Sequence, residues 1–268
     1  MTIFGSVFLA VFAQFPAGGH SADDAGAERL KFMKDSIQSY ELTLGGDRAA
    51  LLKLREEPVF RLGKQSADNV VDGAIFLWAD ENGRPEVAIQ VFQIKDAYYP
   101  QGLWIHEFSS LATSTLTAGR GGRPRWAPTT PGFKFKPVPG APKPAESVAQ
   151  RTRQMRSLAA DFRASDDFKR KGWSELRLLP TPITQYGESG TRLLDGALFA
   201  FVLGTDPEVF LFLEARSGQE GPEWQYALAP MTIFAVKGSY QGKAVWELPN
   251  RDPSWDPSKP FFGKAYEP

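Results

Sequence analysis

LKLREEPVFRLG (Leu52–Gly63) and LRLLPTPITQYG (Leu176–Gly187) decide how this chain is organised. The two strings lie 124 positions apart and keep Leu, Leu, Pro and Gly at matching places. Working outward, Asp72-Gly73-Ala74-Ile75-Phe76 answers Asp195-Gly196-Ala197-Leu198-Phe199, and Pro85-Glu86-Val87 answers Pro207-Glu208-Val209. Trp104 pairs with Trp224 and Trp126 with Trp246; upstream, Met33 pairs with Met155 and Tyr40 with Phe162. An ordered series whose offset drifts slowly from 124 to 120 is the signature of a tandem repeat with trimmed loops. The units span 25–130 and 147–250. A Pro-rich linker, 131–146, separates them, and a Pro-rich tail, 251–268, follows as coil.

Each unit is expected to open with a helix. Leu30, Met33, Ile37, Tyr40 and Leu44 recur at steps of three and four, an apolar stripe on a charged helix. In the second unit Ser147 with Gln150 reads as a capping box, and Val148, Met155, Ala159 and Phe162 carry the stripe. Strand patterns follow. Phe76-Leu77-Trp78 runs into Asp80-Glu81-Asn82-Gly83, where Asn-Gly favours a type I′ hairpin turn, and Val87–Ile94 returns. The second unit repeats this with Ala197–Leu203, Gly204-Thr205-Asp206 and Val209–Ala215. A third hairpin runs from Trp104 to Trp126, and from Trp224 to Trp246. The fold class expected is α+β: a tandem duplication of a unit with one helix packed on an antiparallel meander of about five or six strands.

Composition removes whole classes of function. With no cysteine and two histidines, His20 and His106, thiolate metal sites, thiol nucleophiles and disulfides are excluded, and no metal or cofactor is implied. Thirty-one Lys+Arg balance thirty-one Asp+Glu, against the basic excess of a nucleic-acid binder. No apolar run reaches transmembrane length. Ile3–Ala13 is eleven apolar residues, the length of a signal-peptide core, with cleavage expected after Ala13; its only positive charge is the α-amino group, so 1–13 is a signal peptide or an apolar N-terminal segment. An exported protein, periplasmic or secreted, is the expectation.

LRLLPTPITQYG, LLDGALFAFV, PEVFLFLEAR, WQYALAPM, the PVPGAP linker and the RQMRSLAADF helix resemble a family of exported proteins abundant in planctomycete bacteria. That resemblance implies export and a two-unit architecture. The family has no assigned activity, so it lends no catalytic residue.

Candidate chemistry is sparse. His106-Glu107 is the one place where an imidazole and a carboxylate adjoin, but strand alternation sends them to opposite faces, with His106 sharing its face with Trp104 and Phe108. Ser110 lies roughly 13 Å along the strand from His106, out of hydrogen-bond reach. The second unit has Tyr226 where the first has His106. Asp72-Gly73 and Asp195-Gly196 read as turn chemistry before buried strands. Charge is uneven: 119–171 carries thirteen Lys+Arg and four Asp+Glu, with Arg120, Arg123 and Arg125 at a hairpin tip and Arg151, Arg153, Arg156 and Arg163 on the second helix.

No catalytic or metal-ligating residue is named from these patterns; the candidate ligand contacts are Trp104, His106, Glu107, Arg120, Arg123 and Arg125. The expectation is a non-catalytic binding protein of the cell envelope. One alternative is a structural protein docking an anionic envelope component through its basic centre, and a lesser one is a carboxylate-dependent hydrolase. Partners implied are a small molecule, a protein or an anionic polymer.

Overall fold

The computed structural model describes residues 22–45, 51–63, 69–187, 192–218, 221–251 and 254–266. The apolar run 3–13 and its cleavage site lie outside the described residues. Among the described residues no helix is long and apolar enough to cross a membrane.

Both halves begin as expected and then diverge from it. Helix α1 (Ala22–Gln38) buries Met33 and Ile37, and α2 (Val148–Ala160) buries Met155, Leu158 and Ala159. Ser147 caps α2, its hydroxyl accepting from Gln150 N at 3.3 Å. The stripes were drawn too long, however. Tyr40 and Phe162 stand past the helix ends, on β1 (Tyr40–Leu44) and β10 (Phe162–Asp166). Their spacing fits a helix because they fall on the same core, not because the helix continues.

The strand after each helix overturns the α+β meander. The described residues are mostly β, with 50% in strands and 14% in helix, in a propeller-like arrangement of four antiparallel sheets. The first half continues through β2 (Lys53–Leu54), β3 (Phe60–Leu62), β4 (Val70–Ala79), β5 (Pro85–Ile94), β6 (Leu103–Ser110), β7 (Leu116–Arg120) and β8 (Arg123–Trp126). Strands β6 and β7 do not form the third hairpin: β6 stays beside β5, whereas β7 leaves to pair with β1 and β8 in a separate three-stranded sheet. The second half, after β9 (Lys136–Pro137), holds β11 (Ser174–Glu175), β12 (Arg177–Leu178), β13 (Thr184–Tyr186), β14 (Leu193–Leu203), β15 (Asp206–Gly218), β16 (Gly221–Pro230), β17 (Val236–Tyr240) and β18 (Lys243–Leu248). There β10 pairs with β17, building the four-stranded sheet β11-β10-β17-β18.

Registers in the two halves run in parallel. Leu54 faces Trp78 as Leu178 faces Phe201, and Leu62 faces Gly73 as Tyr186 faces Gly196. Each long hairpin is bulged at both ends, between Val70/Asp72 and Trp78/Ala79 in one and between Leu193/Asp195 and Phe201/Val202 in the other. The β4–β5 turn differs from the type I′ expectation. Only Gly83 has positive φ, at 78°, with its N–H donating to Asp80 O at 3.1 Å, while Asp80 Oδ1 accepts from Asn82 N and Arg84 N. This is a type I turn ending in a left-handed glycine, which the Asp80 carboxylate makes the better option.

Strands β4, β5, β14 and β15 are buried almost throughout, which is why they read as near-continuous apolar runs. Ile75, Leu77 and Ala88 meet Leu198, Ala200, Phe210 and Phe212 in one core between the two large sheets. The opposite faces pack on α1, β1 and β7 in the first half and on α2, β10 and β17 in the second. Across the central core Arg84 bridges Glu86 at 2.6 Å and Glu214 at 2.9 Å, and Tyr186 donates to Glu214 at 2.8 Å.

The Pro-rich segments are structural. Strand β9, from the linker, pairs with β16 of the following half, and β19 (Phe261–Ala265), from the tail expected as coil, pairs with β6 of the first half. Pro137 is tolerated because β9 is an edge strand.

Candidate functional site

A Gly-Gly turn positions the first part of the site. Gly121 and Gly122 both have positive φ, 57° and 72°, in the I′ geometry that matches strand twist, so Arg120 and Arg123 face one another as the closing pair of the β7–β8 hairpin. The ladder slips between Ala118 and Gly119, and Arg125 is the extra residue of that bulge. Three guanidinium groups are thereby gathered at one hairpin tip.

Strand β1 brings Tyr40 opposite Arg120, β6 brings His106 and Phe108, and β19 brings Phe262, Lys264 and, just past its end, Tyr266. Together these residues line a pocket of about 400 Å³. Its walls carry four cations, Arg120, Arg123, Arg125 and Lys264, and no carboxylate. Arg120 donates to the Tyr266 hydroxyl at 2.7 Å, with its guanidinium 4.4 Å from that ring's centroid. Arg123 and Arg125 are exposed, and no ion pair among the described residues engages them or Lys264.

Beneath the cations lies a buried polar string. His106 is 1% exposed; its Nδ1 is 3.1 Å from the Tyr40 hydroxyl and its Nε2 3.5 Å from Ser36 Oγ, which donates to Met33 O at 2.9 Å. Burial, seconded by the Arg120 charge, pushes the imidazole down to about 3, so it is neutral at any ordinary pH. Burial also lifts the Tyr40 phenol to about 12 against the pull of Arg120 and Arg125. A neutral, enclosed imidazole bound to a neutral phenol is a fixed hydrogen-bonding wall, far from the pKa near 7 that a general base needs.

Of the six residues singled out from sequence, the structure brings His106, Arg120, Arg123 and Arg125 together. Trp104 lies outside the lining, stacked on Phe32 with centroids 4.4 Å apart. Glu107 points to the other face, as alternation requires, where a Cβ on Gly263 of β19 would come 3.5 Å from its Cγ. There burial, with the Asp206 charge, raises the Glu107 carboxyl to about 8. Tyr40, Lys264 and Tyr266 were missed. The Tyr40/Phe162 match held a usable signal, a hydroxyl gained at a repeated position, whereas nothing local marks the tail.

The corresponding place in the second half is closed. The same registers put Phe162 opposite Tyr240, and the same bulge makes Val245 the extra residue, so Tyr40, Arg120 and Arg125 correspond to Phe162, Tyr240 and Val245. His106 faces Val91 as Tyr226 faces Leu213. Phe162, Tyr226 and Tyr240 pack into one aromatic cluster, Phe162 lying 5.1 and 4.7 Å from the other two rings, with Val138 and Leu158 in the same core. The basic centre is also less free than its charge suggests, because Arg151 is buried against Asp195 at 3.2 Å and donates to the carbonyls of Ala145 and Glu146. Among the described residues no group of three or more His, Asp or Glu is placed to hold a metal ion. Comparison with protein-family models, curated proteins and solved structures finds no match to this chain.

Proposed function

We propose that this protein is an exported, non-catalytic binding protein of the cell envelope, built from two homologous units, and that the pocket over His106 holds an anionic small molecule. One observation carries the reading: a place filled by aromatic core in the second half is opened in the first and lined with four cations, of which Arg123, Arg125 and Lys264 join no ion pair among the described residues. Like charges gathered at one place repel one another, and a bound anion relieves that repulsion. Guanidinium groups suit carboxylate, sulfate or phosphate, which they bind through paired N–H donors. The parallel registers and bulges support the duplication, and the apolar run 3–13 with the family resemblance supports export.

A binding role is preferred to a hydrolase because the lining holds no Asp or Glu and the one imidazole is neutral and enclosed. The envelope-docking alternative keeps one supporting observation, the exposure of Arg123 and Arg125, which lets an anionic group at the end of a larger molecule reach the same cations. Titration calorimetry with inorganic phosphate at low ionic strength tests the proposal. Saturable binding that weakens about tenfold or more in the Arg123→Ala/Arg125→Ala variant is expected. Equal affinity in that variant would remove the pocket from consideration.

A further inference from the structure

We propose that the ligand of this pocket is a saturated, hydroxylated ring bearing the anion, a sugar phosphate or sugar acid, selected by the oxygen of Tyr40. This rests on the anion-binding reading above and adds what the buried string of hydrogen bonds imposes. The Ser36 hydroxyl has one proton, donated to Met33 O at 2.9 Å, so toward His106 Nε2 it offers a lone pair. A neutral imidazole carries its proton on one nitrogen; with Nε2–H turned to Ser36, Nδ1 accepts, and the Tyr40 O–H is its donor at 3.1 Å. The phenol proton is thus committed inward. What Tyr40 presents to the pocket is lone pairs alone, and these take a hydroxyl or N–H of the ligand.

The rings decide against a flat aromatic ligand. Tyr266 is stacked on His106, centroids 4.4 Å apart, and has the Arg120 guanidinium 4.4 Å from its own centroid, so stacking and cation contacts already engage the ring. Phe108 is hemmed in by Tyr40, Trp126 and Phe262, all within 5.8 Å between centroids. Both rings are already engaged by their neighbours, which disfavours a nucleobase stacked on either. The ring edges that remain suit the C–H groups of a pyranose, about 400 Å³ accommodates a single sugar ring with its anion, and the cations at the hairpin tip meet the charge.

Calorimetry at low ionic strength with glucose 6-phosphate, glucuronate, phenyl phosphate and inorganic phosphate separates the possibilities. Glucose 6-phosphate or glucuronate binding about tenfold tighter than phosphate and phenyl phosphate is expected, one added hydrogen bond's worth. Which of the two binds tighter tells a phosphate-bearing from a carboxylate-bearing sugar. In Tyr40→Phe, a change to the ring already present at Phe162, that preference disappears. Phenyl phosphate matching the sugars, or Tyr40→Phe keeping the preference, overturns the inference but leaves the anion site standing. Failure of all four probes to bind takes the anion-binding reading down with it.

Discussion

Two places that the same strand registers define have been finished in opposite ways. In the second half Leu158, Phe162, Tyr226, Tyr240 and Val245 fill the space over the large sheet; in the first, Ser36, Tyr40, His106, Arg120 and Arg125 leave it open and polar. Buried Ser, Tyr and His in place of Leu, Phe and Tyr cost stability unless every group finds a partner. The pairings of Ser36, His106 and Tyr40 supply those partners, and the remaining mismatch, the cluster of cations, is confined to the solvent side. The difference teaches that the backbone frame tolerates either filling, so the fold itself does not require the open version.

The largest expected effect sharpens this contrast at the closing tryptophans. Trp126 is 0% exposed and donates to Lys259 O at 2.8 Å, whereas Trp246 is only partly buried. Trp126→Ala should lower unfolding free energy by about 3–5 kcal/mol in urea denaturation, with Trp246→Ala losing less than half as much. Equal losses would mean that the tail adds nothing to the first half. Next come the paired aspartates. Among the described residues Asp72 has two ion-pair partners, Arg29 at 2.9 Å and Arg61 at 2.6 Å, while Asp195 pairs with Arg151. Arg151→Ala should cost about 3 kcal/mol because it strands a buried carboxylate; Arg29→Ala should cost under about 1 kcal/mol.

The titrating groups give a smaller, pH-dependent pair. His106 has its pKa lowered to about 3, so below about pH 6.5 the unfolded chain takes up a proton the fold refuses, and stability is lost as pH falls from there toward 3. Replacing it with the residue at the matching place, His106→Tyr, should remove that acid-side loss in thermal unfolding. Glu107 does the reverse: with its carboxyl raised to about 8, the fold keeps a proton that the unfolded chain sheds above about pH 4.5, so stability is lost as pH rises toward 8. Glu107→Gln should flatten that limb. The smallest effect on stability belongs to Arg123→Ala/Arg125→Ala, unchanged within about 0.5 kcal/mol, although it is expected to weaken anion binding about tenfold or more.

What sequence revealed follows the range of each interaction. Ser147 announced its cap and Asp80-Glu81-Asn82-Gly83 its hairpin, both being consequences of neighbours along the chain; the Asp72-Gly73 and Asp195-Gly196 pairs, which read as turns, lie instead inside β4 and β14 next to a bulge. The pairing of Tyr40 with Arg120 joins residues eighty apart, and that of Lys264 with His106 nearly twice as far apart, with no local mark of either. That is why a stripe through Tyr40 read as more helix, and why one meander per unit was expected where the described residues form four sheets. At the site, unmatched polarity pointed to His106 and the arginines, but the tail that supplies Lys264 and Tyr266 read as coil.

The tail strand β19 also sets an order of events during synthesis. Most domains can fold as they leave the ribosome, first half first. Here β6 is finished about 150 residues before the strand that covers it, and the linker strand β9 is made before the β16 it joins. The first half therefore waits with an open sheet edge while the second half is still being translated, and the pocket is completed only after the sheets of both halves have been made. A chain released before β19 would carry His106 and all three arginines and still lack the wall formed by Lys264 and Tyr266.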